Sequence, residues 1–143
     1  MKSINHIQDE IIDEFSILEG DLDMCVEYLI ELGKKLSPLS DKHRVEDNIV
    51  KGCQSKVWLI ANFQQGTITF QADSNTMITK GLVSMLVRIL SGQNPDDILN
   101  SDLYFIHKIG MNRFIGTQRS NGLAAMIKQM KLYALAFMAK EQK

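Results

Sequence analysis

Two cysteines among 143 residues are too few for a disulfide framework. Cys25 and Cys53 do not form a C-x-x-C pair, so thioredoxin-like dithiol exchange is excluded. Zinc sites need ligands paired closely in sequence, and Cys25, Cys53, His6, His43 and His107 each stand alone. No metal centre is expected, and the three histidines read as surface or partly buried packing residues. A Cys–His hydrolase pair has no local signature either. Charge of one sign is missing too: 16 Lys and Arg against 17 Asp and Glu leave no basic face for nucleic acid. No apolar run approaches the roughly 20 residues of a membrane span. The opening MKSINHIQDEIIDEF carries carboxylates where a signal peptide needs an unbroken apolar stretch, so a cytoplasmic protein is expected. KGLVSM and RSNGL lack the spacing of either nucleotide fingerprint, and no cofactor is expected.

What is present is enough apolar residue, 45%, to bury a core in one domain spanning 1–143. Ile4, Ile7, Ile11, Phe15 and Leu18 mark one helix face that Gly20 ends. Leu22, Cys25, Val26, Leu29, Leu32 and Leu36 mark a second, stopped by Pro38. A short strand is expected over 48–51, then strands over 56–63 and 67–72 joined by the turn QQG. ADSN at 72–75 supplies a cap for a helix carrying Ile78, Leu82, Met85, Leu86 and Ile89, which Gly92 closes. Pro95 opens a short helix, and Leu123, Met126, Ile127, Met130, Ala134 and Phe137 outline the last one, with Ser120 or Asn121 as its cap. These elements make an α+β fold: a small three-stranded antiparallel sheet packed against N-terminal and C-terminal helices.

One cysteine is out of character with a core. In NIVKGCQSKVWLI, residues 48–60, Cys53 sits where Gly52, Gln54 and Ser55 predict a turn, so its thiol is expected to be presented, not packed. Cys25 lies on the apolar stripe of the second helix and is expected to be buried and inert.

The blocks NIVKGCQSKVWL (48–59), ADSNTMITKGL (72–82) and RSNGLAAM (119–126), preceded by YLIELGKKL (28–36), resemble the signature blocks of the SufE-like (SufE/CsdE) sulfur acceptors, in order and over nearly the whole chain. The resemblance implies an α+β fold and a sulfur carrier. Such a carrier takes sulfane sulfur as a persulfide from a PLP-dependent cysteine desulfurase (SufS-like), stimulates that enzyme, and delivers to an iron–sulfur cluster scaffold. It implies Cys53 as the sulfur-carrying residue. Gly52 gives the turn reach, while Gln54 and Ser55 cap or hydrogen-bond it. Arg119, from the R-S-x-G-L block, either steadies Cys53 or engages the desulfurase, or is a surface arginine. Asp73 and Ser74 belong to a family block and equally suit a helix cap, and Asn75 stands where many relatives carry a second acid. Lys80 and Gly81 read as solvation and close helix packing. Two other functions stay open: an iron–sulfur scaffold of related fold, which needs about three protein ligands, and a regulatory desulfurase partner that carries no sulfur.

Overall fold

In the computed structural model, which describes residues 2–141, the first two helices form where the apolar spacing places them. Helix α1 (Ile4–Ser16) starts on the Ser3 hydroxyl, which accepts the His6 N–H at 3.0 Å, and buries Ile4, Ile7, Ile11 and Phe15. Helix α2 (Leu22–Lys34) is capped by Asp21, whose carboxylate accepts the Met24 N–H at 3.0 Å, and buries Cys25, Leu29 and Leu32. Leu22 falls outside that stripe and is exposed.

Strands β1 (Val57–Gln64) and β2 (Thr67–Ser74) pair antiparallel from Val57↔Ser74 to Gln64↔Thr67. The hairpin turns on Gln65 and Gly66, both at positive φ (53° and 80°), the twist a two-residue connection requires. The sheet has two strands, not the three expected. Residues 48–51 do not form the third because Glu46–Asn48 is already a 3₁₀ turn and the chain turns again at Lys51–Gly52. Only Ile49 bridges Trp58, and the Val50 N–H reaches the Val57 carbonyl at 2.8 Å. The α+β class stands.

β2 also runs further than the sequence implies. Asp73 and Ser74 are strand residues, and Thr76 occupies the cap position of α3 (Met77–Leu90) without a side-chain cap bond. Helix α3 is the spine of the core. It buries Leu82, Val83, Met85, Leu86, Ile89 and Leu90 and touches α1, α2 and β2. It approaches α2 so closely that a Cβ on Gly81 would lie 2.2 Å from the Leu29 carbonyl oxygen. Arg88 clamps α1 to α3 through both guanidinium nitrogens on Glu14, at 3.0 and 2.6 Å.

Two short helices, α4 (Pro95–Leu99) and α5 (Phe105–Lys108), lead to α6 (Asn112–Glu141). The last helix therefore begins well before Ser120. It is broken at Gly116, whose φ of 82° and ψ of 169° are outside the helical region, and resumes over 117–141. Ser120 is consequently inside the helix, donating from its hydroxyl to the Gly116 carbonyl at 2.9 Å. Among the described residues, no helix is long and apolar enough to cross a membrane.

Candidate functional site

The Cys53 loop leaves the Ile49–Trp58 bridge, turns, and enters β1. Gly52 sits at φ 98°, where a side chain is strained, and a Cβ there would lie 3.1 Å from the Ala125 methyl. The far end of the loop is tied down by the residues that precede and open α3. The Ser74 hydroxyl donates to the Lys56 carbonyl at 2.9 Å, and the Asn75 side-chain oxygen accepts the Lys56 N–H at 2.9 Å. The Ser55 hydroxyl pairs with Thr76 at 2.9 Å and accepts from buried Thr79 at 3.2 Å. Ser55 thus ties the turn to the start of α3, whereas Gln54 is exposed and makes no hydrogen bond among the described residues.

Between these anchors the Cys53 thiol points inward. Its Sγ lies 3.4 Å from the Gly122 carbonyl oxygen, to which the S–H donates. The thiol is half-buried and packs against the core, so the expectation of a presented cysteine is corrected: the turn is there, but the side chain folds back under it. It borders a recess of about 410 Å³ walled by Gln54, Ser55, Thr79, Leu82, the 115–119 segment, Gly122 and Met126. The walls of this recess thus come from the cysteine loop, from α3 and from the break in α6.

Burial pushes the Cys53 thiol up, because a thiolate loses more solvation than a thiol on leaving water. The carbonyl contact acts in the same sense, since only the protonated form has a hydrogen to give. Alkylation of Cys53 by iodoacetamide is therefore expected to be slow at neutral pH and to rise through a midpoint above the ordinary thiol value of about 8.5. The native state gains stability from the neutral thiol below about pH 8.5 and loses it as pH climbs through the raised native value. Peptide mass at Cys53 across pH 7 to 10 reads the profile; a midpoint below the ordinary value would contradict it.

Arg119 lines the same recess but is exposed, and its guanidinium donates to the Ile115 carbonyl at 3.2 Å, not to sulfur. Asp73 is not in the recess. It is buried at the end of β2, where it accepts the N–H groups of Leu39 (3.1 Å) and Ser74 (2.8 Å) and faces Lys80 (3.3 Å) and Arg44 (3.8 Å). It fixes the strand end next to the anchor of the cysteine loop. The sequence reading missed Thr79, Gly116 and Gly122. Gly122 lies within RSNGLAAM and was legible as a member of that block; the place of Gly116 in the recess depends on a backbone break with no local signal beyond a glycine.

Cys25 is buried in α2, and burial with Asp21 nearby pushes its thiol up. Cys25→Ala is expected to cost about 1 kcal/mol of stability for lost apolar contact. It should leave any chemistry at Cys53 intact; the urea midpoint and sulfur uptake measured on one sample test both halves. Among the described residues no three His, Cys, Asp or Glu side chains are grouped as a metal would need.

The two-stranded hairpin packs one face on the helices and leaves the other largely exposed, and the Cys53 thiol folds into a recess under the glycine turn that precedes it. Residues 9–134 match the family model described as SufE, Fe-S metabolism associated domain. The chain is 37% identical over 128 residues to an uncharacterized SufE-like protein of Rhizobium meliloti, covering 86% of this chain and 91% of that one. It is 34% identical over 111 residues to another from Synechocystis, covering 78% and 70%. The solution structure of a hypothetical protein from Thermus thermophilus superposes with a TM-score of 0.76 at 18% identity, over 93% of this chain and 96% of that one, and so shares the fold. This chain belongs to the SufE family. Membership supports a sulfur-transfer role in iron–sulfur metabolism.

Proposed function

We propose that this protein is a persulfide carrier that takes sulfane sulfur onto Cys53 from a PLP-dependent cysteine desulfurase and passes it toward an iron–sulfur cluster scaffold in the cytoplasm. The supporting observation is the half-buried Cys53 thiol on a glycine turn, held against Gly122 at the edge of a recess large enough for further atoms. The Cys53 thiolate attacks the outer sulfur of the donor persulfide. A new S–S bond forms on Cys53, the old one breaks, and the donor cysteine leaves as thiolate with no net oxidation or reduction. The donor is thereby cleared for another cycle, which is how a carrier stimulates a desulfurase.

The resting geometry separates storage from reaction. Tucked against a carbonyl, the thiol is protonated and a poor nucleophile; once the turn swings out, solvation returns its acidity to the ordinary range. Gly52 supplies the backbone freedom, and the hydrogen bonds of Ser55 and Lys56 supply the fixed hinge. In this reading exposed Arg119, on the rim of the recess and not bonded to the thiol, engages the desulfurase. Asp73 supports the strand end to which the hinge is tied. The chain acts as one domain over 1–143.

Incubation with a desulfurase and cysteine is the test. Cysteine turnover rises on adding the protein and the intact mass gains sulfur that dithiothreitol removes; absence of both overturns the reading.

A further inference from the structure

Gly122 is a glycine inside the 117–141 run of α6, where alanine is the better helix former, so its presence needs a reason outside the helix. That reason faces it directly. A Cβ on residue 122 would lie 3.4 Å from Cys53 Sγ and 3.7 Å from Cys53 Cα and Cβ. Those are ordinary contact distances, so the resting thiol tolerates an alanine there. Gly122 and Cys53 both line the recess, so a methyl group there would stand at its wall beside the thiol.

We propose that Gly122 is a specificity-determining residue that reserves room for the second sulfur of a Cys53 persulfide, an inference that rests on the carrier reading above. The thiol fits with or without a methyl group at 122. A persulfide extends the side chain by one sulfur and has no hydrogen on Sγ to donate to the Gly122 carbonyl, so that tether is lost, and the proposal puts its outer sulfur in the space beside Sγ that a Cβ on residue 122 would take. A methyl group at 122 is therefore nearly neutral toward the empty carrier and obstructive toward the loaded one, driving the loaded turn out into solvent.

The test compares parent and Gly122→Ala, each alone and each loaded with a low-molecular-weight persulfide. Two rates are read on each: alkylation of the empty Cys53 by iodoacetamide, and release of hydrogen sulfide from the loaded protein by dithiothreitol. In the second reaction the dithiol is oxidised to its cyclic disulfide, the outer sulfur leaves as hydrogen sulfide, and Cys53 returns as thiol. The expected result is alkylation within about twofold of the parent, with sulfide release faster by about tenfold, the size of an overpacking penalty. Equal acceleration of both rates would mean that the methyl merely loosens the turn, and no change in either would mean that the space is unused; each overturns the assignment. If the parent itself acquires no sulfur on Cys53 from either the persulfide or a desulfurase, the carrier reading fails first and takes this inference with it.

Discussion

Cys53→Ser is expected to take up no sulfur from a desulfurase, to give no stimulation of cysteine turnover, and to fold as the parent does. A serine hydroxyl does not ionise at physiological pH and cannot attack a persulfide, whereas the thiolate is the nucleophile in such exchange. The substitution is mild in structural terms. Serine keeps a donor for the Gly122 carbonyl, and the anchors at Ser55 and Lys56 use atoms that the change leaves alone. The expected stability change is less than about 1 kcal/mol. Thermal unfolding and desulfurase turnover on the same preparation separate the two effects. A serine variant that still stimulates turnover would instead describe a regulator that carries no sulfur.

The largest effect on stability is expected far from the thiol, at Gly81. Helices α2 and α3 meet there backbone to backbone: a Cβ on Gly81 would stand 2.2 Å from the Leu29 carbonyl oxygen and 2.8 Å from its Cγ, and one on Gly33 would stand 2.7 Å from the Gly81 nitrogen. Main-chain atoms cannot rotate aside as a side-chain tip can, so the helices must separate. Gly81→Ala is therefore expected to cost about 3 kcal/mol or more, at the upper end of overpacking penalties. Because Leu29, Leu82 and Leu86 form one buried cluster, the loss should appear as a lowered midpoint in a single cooperative transition. A urea midpoint within error of the parent would show that the helix pair relaxes freely, contrary to the geometry.

Much of this arrangement is written locally. The stripes of α1 and α3 follow helical spacing, QQG marks the hairpin, and G-C-Q-S marks a turn with a cysteine in it. What the sequence leaves unwritten depends on partners distant along the chain. The inward turn of the Cys53 thiol is decided by a carbonyl 69 residues away, and the burial of Asp73 by a backbone N–H 34 residues before it. Residues 48–51 have strand-like composition, yet a 3₁₀ turn on one side and the Lys51–Gly52 turn on the other limit them to one bridge. Ser120 has the chemistry of a helix cap, but the helix restarts after Gly116 and leaves the serine inside it. The resemblance to SufE-like blocks pointed to Arg119 and Asp73. The structure puts the first on the rim of the Cys53 recess and the second behind the anchor of the same loop.

The carrier reading stands or falls on where the sulfur goes. Protein incubated with a desulfurase and cysteine, blocked with iodoacetamide without reductant and digested, gives peptides whose masses locate each added sulfur. The account predicts the adduct on the peptide containing Cys53, with the Cys25 peptide unmodified by sulfur. Sulfur found on the Cys25 peptide alone, or on neither, would contradict it.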